Sequence, residues 1–241
     1  MYYILLLSSV LCTAMLYTIC HKKVNKTDGI YDDKVSPILE KLGDNEAITN
    51  SVLQHVNNYT TKVEKNKDKN QKISFYNVNN DKIVIKDTVD LKECSRFIQV
   101  CHECVHSIQD KNILKLHFIF SNINILYFLG TFLYFFYDKR ESVRLALLLI
   151  QIFIFIITFV LKIITESDAT YRATIVANDF LADKVEKEAL SNFIKNAENE
   201  IYSIAPIMYF SLYMQGAILL IINQIGAILI WGGFLWKMLM Y

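Results

Sequence analysis

Val100-Cys-His-Glu-Cys-Val-His-Ser-Ile-Gln109 carries two histidines four residues apart, with a glutamate directly after the first. The surrounding Phe97, Ile98, Val105 and Ile108 recur at helical spacing, so the stretch reads as an amphipathic helix with one buried face. At about 100° per residue, positions four apart lie about 40° from each other and one turn apart along the axis. His102 and His106 can therefore bring both imidazoles to one Zn²⁺. Glu103 leaves the helix on the adjoining face, close enough to take a proton from water beside the metal. Such HExxH patterns also arise by chance on surface helices. The apolar residues around this one argue instead for the central helix of a zincin.

The 241 residues are 53% hydrophobic and 20% charged, with a mean hydropathy of +0.27. A positive value at this length points to several membrane spans. The formal net charge of +1 argues against a nucleic-acid partner, which would want a basic surface. Two prolines and seven glycines exclude collagen-like and Pro/Gly-rich disordered classes. A span needs about 20 apolar residues, and four segments qualify: 1–20, 117–136, 143–164 and a stretch within 206–241. The first lacks a basic start and a small-residue cleavage site, so it reads as an uncleaved N-terminal anchor. The last reads as one extended helix, since no proline or charge near Asn223 and Gln224 would turn it into two.

The expected architecture is mainly α and membrane-embedded, with about four transmembrane helices, a zincin-like HExxH helix and a small β-hairpin. Residues 21–241 form a single domain after the anchor: a soluble part 21–112, a membrane hairpin 117–164, a helical part 165–205 and a C-terminal membrane helix 206–241. Asp138 to Ser142 is long enough only for a turn, so the second and third spans cross and return. Both polar parts therefore lie on one side. Lys22, Lys23, Lys26, Lys111, Lys115 and Lys162 flank spans there, against Lys139, Arg140, Arg144 and Lys237 opposite. That asymmetry places the shared side in the cytoplasm.

Within the soluble part, Val35 to Leu42 reads as a short helix closed by Gly43. Asp44 caps a longer helix to about Val63, with His55 on its apolar face as a packed core histidine. Lys62 to Lys72 reads as a charged linker. Apolar runs on either side of Asn79-Asn-Asp81, from Ile73 to Ile85, predict a hairpin. Asp87 or Thr88 caps the helix that runs from about Val89 to Gln109. Asn25-Lys-Thr27 and Asn58-Tyr-Thr60 match the glycosylation pattern, as chance triplets do in an Asn-rich chain.

Cys101 and Cys104 form a CxxC pair that overlaps the motif. On a helix both project away from the two histidines, so they cannot share a metal with them. No second CxxC and no βαβ pattern accompanies them, and they read as packing residues. A catalytic zinc takes three protein ligands and keeps one open position. Candidates for the third are His117, Glu166, Asp168, Asp179 and Asp183. Glu166-Ser-Asp-Ala-Thr-Tyr-Arg-Ala173 stands out, because its acidic pair follows directly on the third span and on the same side as His102. The competing reading is that Glu166 and Asp168 only cap a helix and favour its dipole.

Taken together, these motifs resemble the YugP-like neutral zinc metallopeptidases of bacterial membranes. Members carry an HEVGHAIQ-type motif, two hydrophobic helices, an EFDASRRA-type motif and a final long hydrophobic helix. Here His102, Glu103, His106, Ile108 and Gln109 match the first motif, and Glu166, Asp168, Ala169, Arg172 and Ala173 match the second. The order agrees from about Ile73 to the C-terminus. Cys104, Val105 and Ser107 depart from the pattern, Val105 replacing a glycine, while every ligand position is intact. The resemblance implies His102, His106 and Glu166 on zinc and Glu103 as general base. It also implies Asp168 behind a ligand histidine, Arg172 paired with Asp168 or steadying the site, and no organic cofactor. The hairpin edge would pair with an extended peptide.

The expectation is a membrane-anchored, zinc-dependent endopeptidase in a bacterial-type cell membrane, acting on a protein or peptide substrate beside the bilayer. An HtpX-like quality-control protease is the alternative, although such enzymes usually place two spans before the HExxH. A non-catalytic membrane scaffold that keeps the motif is a third.

Overall fold

The computed structural model describes residues 2–21, 32–66, 74–86, 94–137 and 140–231. Among the described residues, seven helices and three strands follow in the order α1 (Tyr2–His21), α2 (Ser36–Lys41), α3 (Asn45–His55), β1 (Lys62–Asn66), β2 (Phe75–Asn77), β3 (Lys82–Lys86), α4 (Ser95–Ile108), α5 (Lys111–Tyr137), α6 (Glu141–Leu181) and α7 (Lys187–Trp231). Two compact units result. One comprises Met1–Val24, Leu116–Ile163 and Ala205–Tyr241; the other comprises Asn25–Lys115 and Ile164–Ile204.

The first unit is helical. Three helices among the described residues are long and apolar enough to cross a membrane, within Lys111–Tyr137, Glu141–Leu181 and Lys187–Leu229. The N-terminal segment is also a helix, with a shorter apolar part, Leu6–Cys20. It packs on α7 through Tyr17 against Phe210, and Thr13 Oγ1 lies 3.2 Å from Tyr213 Oη. Asn223 joins three helices, donating to Thr131 Oγ1 on α5 and to Gln151 Oε1 on α6, both at 2.7 Å. Between apolar helices in lipid such bonds contribute about 0.6–2 kcal/mol each, a stabilisation that hydrophobicity cannot supply there. Gly216 lets α7 approach α6 closely, since a Cβ at that position would lie 2.3 Å from the Phe155 ring.

The second unit holds the polar parts of the chain. β3 is the central strand of a three-stranded sheet, parallel to β1 and antiparallel to β2, with Ile83 opposite both Val63 and Tyr76. Ile83 and Ile85 are buried. Val52, Leu53, Phe97, Cys101, Cys104, Phe180, Leu181 and Phe193 share one core, so α3, α4, the end of α6 and the start of α7 pack together. Gly43, at φ +102°, follows α2 where the sequence predicts a helix end, and Asp44 accepts from the Ala47 N–H at 3.0 Å as the N-cap of α3. A cap of this kind stabilises a helix by about 1 kcal/mol.

Three expectations change. The α3 helix stops at His55 rather than near Val63, because Asn57 turns into the left-handed region at φ +58°. Asn58 then donates to Thr61 Oγ1 and to Ser107 Oγ, at 2.9 and 2.8 Å, which ties this turn to α4 and commits the amide nitrogen of the sequon to the fold. Part of the charged linker is strand β1, whose Lys65 pairs with Asp44. Its lysines read as solvated loop in one dimension and as a protected sheet edge in three. His55 is exposed and meets Phe180 edge-on, with ring centroids 5.6 Å apart, instead of sitting in the core. The expected cap at Asp87 or Thr88 lies outside the described residues.

The larger change concerns α6. The third span does not end before the acidic motif: one helix of 41 residues carries both. Glu166 therefore lies inside a helix, which removes the capping reading. The last apolar stretch is likewise continuous with the polar residues before it, in a 45-residue helix that runs through Pro206. Because residues 25–115 and 164–204 build one unit, both must lie on the same side of a membrane. Reporter fusions after Asn112 and after Ala189 are expected to show the same orientation; opposite signals would contradict this packing.

Candidate metal centre

Helix α4 buries one face and turns the other towards α6. Phe97, Cys101, Cys104 and Val105 are in the core, while His102 and His106 project together, their Nε2 atoms 3.0 Å apart and their rings nearly perpendicular at 89°. Glu166 comes from α6, sixty residues further along the chain. Its Oε2 lies 3.3 Å from His102 Nε2 and 3.7 Å from His106 Nε2. Among the described residues these three form a group able to hold a metal ion, with ligand atoms all within 4.8 Å of one another.

The spacing itself tests the fit. Atoms placed about 2.0–2.1 Å from a common centre, at tetrahedral angles, lie about 3.3 Å from each other. The observed separations of 3.0, 3.3 and 3.7 Å bracket that value. Two imidazole nitrogens and one carboxylate oxygen also form the donor set that suits Zn²⁺ among common divalent ions, because Ca²⁺ and Mg²⁺ prefer all-oxygen shells. Three ligands leave the fourth position for a reactant.

Glu103 stands beside this group and is not one of the three. It is 7% exposed, and the backbone N–H of Tyr76 on β2 slightly favours its ionised form. Burial is the main influence on it and pushes its carboxyl above the ordinary value, against the pull of the two histidines. Burial acts in the opposite sense on His106. There the neighbouring Glu166 carboxylate outweighs it and raises the imidazole's pKa.

Asp168 and Arg172 sit on the same side of α6. The Arg172 guanidinium is 3.6 Å from Asp168 Oδ2, the expected pairing. Asp168 does not meet a histidine directly. Gln109 stands between: its amide nitrogen is 2.7 Å from Asp168 Oδ2 and 2.8 Å from the Thr165 carbonyl, while its Oε1 is 2.7 Å from His106 Nδ1. Sequence reasoning on roles passed over Gln109 because an amide offers no charge to flag it; its place three residues beyond His106 was the available signal. His102 Nδ1 has Thr170 Oγ1 at 3.4 Å. Of the other ligand candidates, His117 meets Ser121 on α5 and Asp183 meets Lys184. Tyr171, next to Thr170 on α6, is 66% exposed.

The two CxxC cysteines point away from the metal group, as the helical spacing predicts. Cys101 and Cys104 are fully buried in the core, and burial pushes both thiols well above their ordinary pKa. No family model, curated protein or solved structure matches the chain. The chemistry is therefore read from the residues alone. Replacing both Cys101 and Cys104 by Ala is expected to leave about one zinc per chain, the stoichiometry of a single three-ligand site. Loss of zinc from a folded double variant, measured by elemental analysis, would bring the cysteines back into the centre.

Proposed function

We propose that this chain is a membrane-anchored zinc endopeptidase of the YugP-like kind, with His102, His106 and Glu166 as metal ligands and Glu103 as general base. One observation carries the reading: two helices distant in sequence bring an imidazole pair and a carboxylate to tetrahedral spacing, with a fourth titratable group buried alongside. A helix pattern that arose by chance would have no reason to meet a carboxylate from α6.

Bound Zn²⁺ would polarise a carbonyl and lower the pKa of water to around 7. Glu103 then accepts the proton of the attacking water as its oxygen bonds to the scissile carbonyl carbon. As the carbon–nitrogen bond breaks, the same carboxyl gives that proton to the leaving amine. Glu166 sets its negative charge beside the imidazole pair, and Arg172 offsets the carboxylate of Asp168, one turn away. Four spans, with α1 as the fourth, would anchor the protein, and the lysine-rich flanks support a cytoplasmic site.

Metal content separates this reading from that of a scaffold. Glu166→Ala is expected to weaken zinc binding, because one of three protein ligands is removed. Glu103→Gln is nearly isosteric and lies beside the ligands. It is expected to retain zinc and lose peptide hydrolysis by about 10²–10⁴-fold, the usual contribution of general acid–base transfer. Metal analysis and peptide cleavage by detergent-purified wild type and both variants test this. Full zinc and full activity in Glu166→Ala would reject the ligand set.

A further inference from the structure

We infer that Gln109 is a positioning residue that presets His106 for the metal by dictating which of its ring nitrogens carries the proton. The inference rests on the proposed metal site and needs no assumption about the reaction catalysed there.

Donor and acceptor chemistry leaves one solution. A backbone carbonyl only accepts, and an ionised carboxylate only accepts. Both face the same end of the Gln109 side chain, the Thr165 carbonyl at 2.8 Å and Asp168 Oδ2 at 2.7 Å. That end must be the NH₂, and each acceptor takes one of its two hydrogens. The other end is then the carbonyl oxygen, 2.7 Å from His106 Nδ1. An amide oxygen has no hydrogen to give, so Nδ1 must hold one. In the neutral imidazole, the form that binds a metal, His106 Nε2 is then left with the free lone pair. It is the atom that faces His102 Nε2 and Glu166 Oε2. The usual ambiguity of amide and imidazole orientation is thus resolved by the two acceptors on α6.

The same side chain also fixes the third ligand in space. Thr165 and Asp168 bracket Glu166 on α6, one residue before it and two after. Through them Gln109, at the C-terminal end of α4, ties that helix to the α6 segment bearing Glu166. Among the described residues, His102 Nδ1 meets only the Thr170 hydroxyl. A hydroxyl at 3.4 Å can donate or accept, so Thr170 leaves the tautomer of His102 open. The centre is therefore asymmetric, with His106 prepared before the metal arrives and His102 settling on it.

The full-length protein in detergent tests this through zinc affinity, measured by chelator competition, and through the visible spectrum of the Co²⁺-substituted form. Gln109→Leu is expected to lose about 10–100-fold in zinc affinity, the usual effect of removing the group that orients a ligand histidine. Gln109→Glu should also weaken binding, since its carboxylate cannot donate to Asp168 or Thr165 and is repelled by Asp168. Combining Gln109→Glu with Asp168→Asn should recover part of the affinity, because the amide now at position 168 donates to the carboxylate at position 109, which still accepts from Nδ1–H, while the Thr165 carbonyl loses its Gln109 donor. A clamp that only held the helices together would lower thermal stability in Gln109→Leu while leaving zinc affinity and the cobalt spectrum of the folded protein unchanged; that result overturns the inference. So does a double variant that binds no more tightly than Gln109→Glu, a comparison that stands even if Gln109→Leu does not fold. Wild type that binds no zinc would overturn the metal site itself, and with it the role of Gln109.

Discussion

Two imidazoles and a carboxylate are held within 3.7 Å of one another at the junction of α4 and α6, with a second carboxylate buried beside them. Desolvating that many polar groups is costly unless each finds a partner, so this cluster constrains everything packed around it. His106 finds Gln109, and Glu166 lies against both histidines. The hydrophobic side of α4 bears the mechanical load of keeping them there. Phe97, Cys101, Cys104 and Val105 lock the helix into the core, so the opposite face cannot rotate away from α6.

Helix continuity is what delivers Glu166. A helix that stopped at the end of the apolar run would leave the acidic motif on a loop, where a ligand 60 residues from its partners in sequence would be poorly placed. The 41-residue α6 instead extends directly from its apolar run into the motif, so the position of Glu166 follows from the rigid rise of the helix, about 1.5 Å per residue. Ala173 and Ala177, both buried, then let this part of α6 pack closely within the second unit. Small side chains on one face and the ligand on a neighbouring one are two aspects of a single amphipathic segment.

Much of this was legible in one dimension. The HExxH spacing, the apolar periodicity of α4, the outward-pointing ligands with inward cysteines, the hairpin around Asn79-Asn-Asp81 and the Asp44 cap all depend on residues close in the chain, where helix and turn geometry alone relate them. The misreadings came where non-local contacts decide. Strand β1 is one apolar residue among charges, and only its parallel pairing with β3 makes it a strand. His55 follows an apolar pattern yet lies at a helix end, where the turn at Asn57 leaves it exposed. The acidic pair at Glu166 and Asp168 has the composition of a helix start and sits mid-helix instead.

From the sequence alone came the chemistry available: which side chains could bind a metal, that two of them share one helix face, and that apolar stretches recur at membrane-spanning length. Those conclusions hold because side-chain type and helical pitch are local properties. Tertiary structure alone decided which of several acidic residues meets the histidines, and that an uncharged glutamine stands between His106 and Asp168. Contacts across many tens of residues are set by how two helices pack. Packing depends on the shapes of both faces at once, which no single stretch of sequence contains.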